Sequence, residues 1–398
     1  MKSEEWDRLV RQRLAGLAGQ HLYRQRRTVR PIDATHIEVD GRRYVNFASN
    51  NYLGLSHHPR VLAAAAEALR RDGAGGGASP LVTGYGPAHA SAEHRIAAWK
   101  GTESALLLPS GYQANAAAVQ TIAVVAAQGG HGVRFLIDKL VHASLVDAVR
   151  QTGAPVRVFP HNNLEKLARL LDEAEAGQSQ VVVTESVFSM DGDEADLNGL
   201  ARLKQHGRPF VLLLDEAHGS GVYGPAGAGL AAHLGLAGLA DVTVVTLSKA
   251  LGCAGGAICA PAAFCDAVAN LGRAYLYSTS VAPALAAAAE AAIDVLHDEP
   301  QNQQRLERLR RWVGGALRES GFRVPPGDSA ILPVILGSEE AAMAAASVLR
   351  DAGLWVAPIR PPTVPRGTSR LRITLSSQHT DGEIELLLTT LRSIERAS

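Results

Sequence analysis

Short runs that are apolar at nearly every position alternate along this chain with alanine-rich stretches of helical period. The runs fall at 105–108, 134–137, 156–159, 181–184, 210–214, 242–245 and 256–259. Continuous apolar runs suit strands buried on both faces, and the helices between them supply the crossovers that parallel strands need. The pattern therefore predicts an α/β protein, with a mostly parallel seven-stranded sheet and helices on both faces. Ahead of it, the first part of the chain reads as an amphipathic helix followed by a polar hairpin-like segment ending in Tyr44-Val45-Asn46-Phe47. The alternation stops near Pro283, where a long alanine-rich helix begins. Asp298-Glu299-Pro300 then opens an arginine-rich helix. Strand candidates at 331–335 and 371–374 complete a smaller α/β C-terminal domain. The expected division is 1–50 for the N-terminal helix and small strand segment, 51–297 for the large domain and 298–398 for the small one.

Composition narrows the class. The chain has 398 residues, 46% hydrophobic and 20% charged, enough for a sizeable core. Thirty-nine basic and thirty-nine acidic residues cancel, so no global field favours nucleic acid or an anionic membrane. No apolar run reaches transmembrane length, and the charged start Met1-Lys2-Ser3-Glu4-Glu5 lacks a signal-peptide hydrophobic region. Cys253, Cys259 and Cys265 are odd in number and lack CxxC spacing, which argues against a disulfide framework or structural zinc. The histidines show no HExxH spacing, so no metal is expected. A cytoplasmic enzyme is the simplest expectation.

Ligands of open α/β sheets sit beyond the carboxyl ends of the strands. The polar residues that follow the runs are Ser110-Gly111-Tyr112, His142, Glu185 with Ser189, Asp215 with His218, and Thr246, Ser248 and Lys249. Lys249 stands out. The chain has six lysines against thirty-three arginines, and Lys100, Lys139, Lys166 and Lys204 fall in polar segments expected at the surface. Lys249 instead ends a β-branched apolar run. An amine placed there loses hydration, its pKa falls, and it becomes a nucleophile toward a carbonyl, which an arginine cannot be. A lysine snorkelling from a strand end would leave the same pattern.

Asp215 lies thirty-four residues before Lys249, at the end of another run. Asp215-Glu216-Ala217-His218 matches a Walker B motif literally, but no phosphate loop of the form GxxxxGK[ST] accompanies it. The glycine-rich segment 73–79 is not followed by lysine and follows a helical stretch, so a dinucleotide fingerprint is equally unsupported. A strand-end carboxylate paired with a strand-end lysine suits pyridoxal 5′-phosphate instead. The lysine forms the Schiff base, and the carboxylate keeps the pyridine nitrogen protonated. His218 could hydrogen-bond the phenolic oxygen, and His142 could stack on the ring. Ser110-Gly111-Tyr112 opens a helix and could receive the phosphate, with Thr246 and Ser248 adding hydroxyls. Each has an ordinary reading too: a helix cap for Asp215, a common turn for Ser-Gly-Tyr, a core histidine for His142. Arg372 alternates with Leu371 and Ile373, so it could grip a carboxylate or simply line a solvated strand face.

Taken together, the segments resemble the α-oxoamine synthases. Ser49-Asn50-Asn51-Tyr52-Leu53-Gly54-Leu55-Ser56-His57-His58-Pro59 is similar to the N-terminal motif of that family. Glu185-Ser186-Val187-Phe188-Ser189-Met190-Asp191-Gly192-Asp193, Leu214-Asp215-Glu216-Ala217-His218-Gly219 and Thr246-Leu247-Ser248-Lys249-Ala250-Leu251-Gly252 are similar to its central motifs. The resemblance implies a fold-type-I pyridoxal-phosphate transferase, homodimeric, with the active site at the subunit interface and the cofactor bound in the large domain. It implies that Lys249 carries the cofactor and then abstracts the substrate α-proton. His142, Asp215 and His218 would attend the ring, Gly111 and Tyr112 would bind cofactor, and Ser189 and Thr246 would support its ring oxygen and phosphate. Arg372 would hold the amino-acid carboxylate, with Arg24, Asn50 and Thr363 helping to bind substrate or intermediate.

Leu53-Gly54-Leu55-Ser56-His57-His58-Pro59 and Ile359-Arg360-Pro361-Pro362-Thr363-Val364-Pro365 look most like one branch of that family. This branch condenses L-alanine with a pimeloyl thioester, on CoA or acyl carrier protein, in biotin biosynthesis. Pro362-Thr363-Val364-Pro365-Arg366-Gly367-Thr368 and Arg370-Leu371-Arg372-Ile373-Thr374 are also similar to the branch that uses glycine with succinyl-CoA, and glycine with acetyl-CoA is a further alternative with the same chemistry. Pro80, where the succinyl branch usually has an arginine, and Leu375-Ser376-Ser377 favour alanine.

Overall fold

The computed structural model describes residues 3–19, 22–130, 132–325, 327 and 329–394. The central sheet has seven strands: Ser104–Leu108, Val133–Asp138, Val156–Phe159, Ser179–Glu185, Val211–Asp215, Val242–Thr246 and Gly256–Ala260. Across the sheet they run first, seventh, sixth, fifth, fourth, second, third. All share one direction except Gly256–Ala260, which is antiparallel to both neighbours. Chain length explains the exception. Only residues 247–255 separate Thr246 from Gly256, too few for a parallel crossover, so the chain must turn back on itself. Lys249 lies in that short return.

Every residue of Val133–Asp138 and of Gly256–Ala260 is buried, so both faces of the sheet are covered by helices. The edge strand Val156–Phe159 exposes Arg157 and Val158, as an edge can. The β-branched and leucine content of the central strands fills this core, with Val181, Val182, Val183, Leu212, Leu213 and Leu214 fully buried.

The N-terminal hairpin of His36–Val39 and Arg42–Asn46 forms as the polar segment suggested, but its partner comes from the other end of the chain. Arg42–Asn46 pairs in parallel with Leu354–Trp355. A separate three-stranded sheet joins Ile331–Gly337, Ser369–Thr374 and Ala357–Ile359, with the helices Gln301–Glu319, Glu339–Asp351 and Asp381–Ser393 around it. Ser369–Thr374 is buried at every position, so Arg370 and Arg372 do not line a solvated face.

Lys100 corrects an expectation. It ends the helix Pro87–Lys100, and its ammonium is buried against the Glu216 carboxylate, the Ser220 hydroxyl and the Ala228 carbonyl. Glu216 in turn accepts from the Ala231 N–H at 3.1 Å. Gly229, at φ +118, leaves the space this carboxylate occupies, since a Cβ there would fall 1.9 Å from it. The pair pins residues 216–231, the segment that directly follows Asp215. Lys100→Met should therefore cost about 3–5 kcal/mol by stranding a buried carboxylate. In urea unfolding, adding Glu216→Gln to Lys100→Met should recover much of that loss, and a neutral single variant would contradict the pairing.

Candidate active site

The parallel strands end in one cleft of about 230 Å³, lined by residues that follow five of them. Lys249, Asp215, His218, His142, Gly111, Tyr112 and Thr246 all reach it, as do Ser110, Ser248, Asn115, Ser144 and Glu185. Strand ends supply rigid placement, and the turns supply chemistry.

Lys249 is the chemical centre. Burial lowers its amine from the usual lysine range to about 8, helped by the Arg372 charge, while Asp215 and Glu185 oppose the shift. Its Nζ lies 2.9 Å from His218 Nε2. His218 is held well below the ordinary imidazole range by burial and by the cations Lys249 and Arg372, so it is neutral. Its tautomer follows from its neighbours. Asn50 Oδ1 accepts from Arg372 Nη1 at 3.2 Å and from the Tyr52 hydroxyl at 3.1 Å. Burial pushes Tyr52 up to about 12, so it keeps its single proton and spends it on Asn50. The tyrosine oxygen must then accept from His218 Nδ1, 2.7 Å away. His218 Nε2 is left with a lone pair facing the lysine amine.

Asp215 is gripped from two sides. Asn115 Nδ2 donates to one carboxylate oxygen at 2.8 Å, and the Ala217 N–H donates to the other at 2.8 Å. Asn115 also donates to the Ser144 hydroxyl, which lies 2.8 Å from His142 Nδ1. His142 caps the helix Ala143–Gln151, its backbone N–H donates to Glu185, and burial lowers its pKa. Burial, reinforced by the Asp215 charge, carries Glu185 well above the usual carboxylate range.

The opposite end of the cleft is built for a phosphate. Ser110 caps the seventeen-residue helix Gly111–Ala127, whose first N–H groups face the cleft with the positive end of the helix dipole. Thr246 Oγ1 and Ser248 Oγ sit 2.9 Å apart beside it. Two glycines permit the approach. A Cβ on Gly111 would come within 3.3 Å of Thr246, and one on Gly256 within 2.7 Å of the Gly111 backbone. A desolvated amine, a braced carboxylate, a flanking imidazole and a hydroxyl-lined helix start together fit pyridoxal phosphate.

The remaining expected residues divide. Arg372 donates through Nε to the Ser189 carbonyl at 2.7 Å and through Nη1 to Asn50, so all three meet the Tyr52–His218 chain. Ser189 thus enters through its carbonyl. Arg24 and Thr363 bond each other at 3.1 Å in a separate cleft with Leu22, Pro358 and Arg360. Asn115 and Ser144 escaped the sequence reading. Asn115 had one signal, a lone amide in the alanine run 114–118 one turn after Gly111. Tyr52 lay in a recognised motif but had no assigned role.

Fold and site define a pyridoxal-phosphate transferase of fold type I. The sequence profile of the aminotransferase class I and II family matches residues 42–391. The chain is 42% identical over 382 residues to an 8-amino-7-oxononanoate synthase from Anaeromyxobacter dehalogenans, covering 96% of this chain and 94% of that one. Serine palmitoyltransferase from Sphingomonas wittichii superposes with a TM-score of 0.89 at 31% identity, covering 99% and 98% of the two chains. A serine palmitoyltransferase structure with its pyridoxal-phosphate internal aldimine superposes with a TM-score of 0.88 at 31% identity, with the same coverage. This chain belongs to the aminotransferase class I and II family, and within it to the α-oxoamine synthases. It uses pyridoxal phosphate. Among the described residues, no helix is long and apolar enough to cross a membrane.

The depressed lysine gives a pH test. Incubating apo-protein with pyridoxal phosphate and trapping with borohydride should label Lys249 in preference to the other five lysines. A depressed amine loses its proton sooner, so labelling should rise with pH to half-maximum near 8 rather than near 10.5, read by peptide mass spectrometry. Labelling spread over the other lysines would contradict the site.

Proposed function

We infer that this protein joins L-alanine to a pimeloyl thioester by decarboxylative condensation, giving 8-amino-7-oxononanoate, CO2 and free thiol. The observation that carries the chemistry is the buried Lys249 amine, which faces a neutral His218 and shares a cleft with the braced Asp215. Similarity over nearly the full length to the Anaeromyxobacter enzyme supports this choice of substrates. Pyridoxal phosphate supplies an aldehyde for the amino group and an electron sink for the charge left at the α-carbon.

The chain's own groups supply the rest. Lys249 Nζ is the attachment point for the cofactor and, once released, the base that takes the alanine α-proton. His218 Nε2 offers that amine a lone pair without a competing charge. Asp215 holds a proton on the pyridine nitrogen, and Asn115 with the Ala217 N–H keep the carboxylate aimed. His142, which lines the cleft, would stack on the ring. The first N–H groups of Gly111–Ala127, with Tyr112, Thr246 and Ser248, would hold the phosphate, and Ser189 would support the ring oxygen. Arg372, buried and steadied by Ser189 and Asn50, receives the alanine carboxylate, whose loss as CO2 follows the condensation. Arg24 and Thr363, in their own cleft, would help to bind substrate or intermediate.

The same reading has two copies of the chain sharing the cleft. Tyr112 lines it yet is half exposed, and Tyr277, Leu81 and Val82 leave further apolar surface open to a partner. Residues 51–297 act as the cofactor unit, while 298–398 brings Arg372 to it. The enzyme works in the cytoplasm, where its three free thiols stay reduced.

A matrix of amino acids and acyl thioesters, scored by thiol release, tests the reading. L-Alanine with a pimeloyl thioester should give the highest kcat/KM, and a preference for glycine with acetyl-CoA or succinyl-CoA would overturn the substrate assignment. Arg372→Met should raise the alanine KM about 10- to 100-fold, the range for losing a charged hydrogen-bonding partner. The pimeloyl thioester KM should stay constant.

A further inference from the structure

Outside the cleft lies a histidine that the chemistry above does not use. His161 follows the edge strand Val156–Phe159, and its two ring nitrogens are both engaged. Nδ1 lies 3.0 Å from Asp138 Oδ1 and Nε2 lies 2.6 Å from Asp193 Oδ2. The ring stands edge-on to Phe188, with centroids 4.3 Å apart. Only the doubly protonated imidazole donates from both nitrogens at once. Burial opposes that charge, but the two carboxylates outweigh it and raise His161 to about 10.

The two carboxylates belong to the segment that leads to His142 and to the turn that carries Ser189. Asp138 closes the strand Val133–Asp138, and its carboxylate also accepts from the Leu140 N–H at 2.8 Å and the Asn162 N–H at 2.9 Å. It therefore sets residues 138–142, which deliver His142 to the cleft. Asp193 ends the turn 188–193, which closes through Phe188 N to Asp193 O at 2.9 Å and Gly192 N to Phe188 O at 2.8 Å. That turn presents the Ser189 carbonyl to Arg372 and the Asp191 carboxylate to Arg370. Asn162, next to His161, adds a third tie from its amide to the Glu194 carbonyl at 2.9 Å.

We propose that His161 is a positioning residue, a cationic clamp that fixes the loop carrying His142 against the turn that aims Arg372. The proposal rests on the roles given to His142 and Arg372 above. The clamp touches neither residue. It acts by holding the Ser189 carbonyl where the Arg372 fork is already oriented for a carboxylate, and by holding the 138–142 loop where the imidazole of His142 meets the ring. Each arm has its own readout. Loss of the Asp193 arm should loosen Arg372 and weaken amino-acid binding. Loss of the Asp138 arm should disturb the cofactor environment.

The test compares wild-type, His161→Phe and Asp193→Asn holoenzymes. Alanine affinity is read without turnover by the change in the cofactor absorbance band during L-alanine titration. The KM values for alanine and pimeloyl-CoA, the visible circular dichroism of the bound cofactor and the thermal midpoint complete the comparison. His161→Phe should weaken alanine binding about tenfold, leave the pimeloyl-CoA KM unchanged and reduce the visible circular dichroism. Asp193→Asn, which spares the Asp138 arm, should weaken alanine binding while keeping the visible signal. A lower thermal midpoint with unchanged alanine affinity and unchanged visible signal in both variants would overturn the proposal and leave His161 a structural brace. Equal rises in both KM values would overturn it too. A wild-type band that responds to another amino acid instead of alanine would count against the substrate reading alone, and the clamp is then judged by the same ratio with that amino acid.

Discussion

Removing one ammonium from water organises this protein. Lys249 sits in the nine-residue return between Thr246 and Gly256, where it lines the cleft, and desolvation there lowers its pKa to about 8. A group in that condition needs neighbours that neither expel it nor lock it as a cation. His218 meets the requirement because its Nδ1 proton is committed to Tyr52, which leaves Nε2 as an acceptor with no charge. Arg372 and Asp215 then act as opposed fields, the guanidinium favouring the free amine and the carboxylate restraining it. The sheet exists, in functional terms, to hold these charges at fixed separations.

Fold and chemistry are linked through short connections. The reversed strand Gly256–Ala260 is a consequence of chain length, yet it sets the lysine loop against the start of the helix Gly111–Ala127. Gly111 and Gly256 are the points where those backbones nearly touch. Behind the Asp215 segment, the buried Lys100–Glu216 pair keeps residues 216–231 in place. The hydrogen bonds from Asn50 through Tyr52 to His218 run from the N-terminal motif to the lysine, so three distant stretches of sequence share one proton inventory.

The central sheet was legible because its inner strands are buried on both faces, and burial on both faces writes a continuous apolar run. All seven runs became strands. The strand-end rule likewise placed Lys249, Asp215, His218, His142, Gly111, Tyr112 and Thr246 in one cleft. What stayed hidden was non-local. Nothing in Arg42–Asn46 announces a partner at Leu354–Trp355, since pairing leaves no periodicity of its own. Lys100 read as a surface cation because its counter-charge lies far along the chain, in Glu216. Ser144 was invisible, and Asn115 nearly so, because an amide and a hydroxyl that serve by bracing Asp215 and His142 look like any polar residue on a helix. Arg24 and Thr363 do find each other, but in a cleft of their own.

The chemistry turns on removal of the alanine α-proton by the Lys249 amine. It is tested most directly with α-deuterated L-alanine in ordinary water, with and without pimeloyl-CoA, following deuterium loss from the α-carbon by NMR. The wild-type holoenzyme should wash out the deuterium, and Lys249→Ala reconstituted with cofactor should retain it under both conditions. Washout at the wild-type rate in Lys249→Ala would contradict the account.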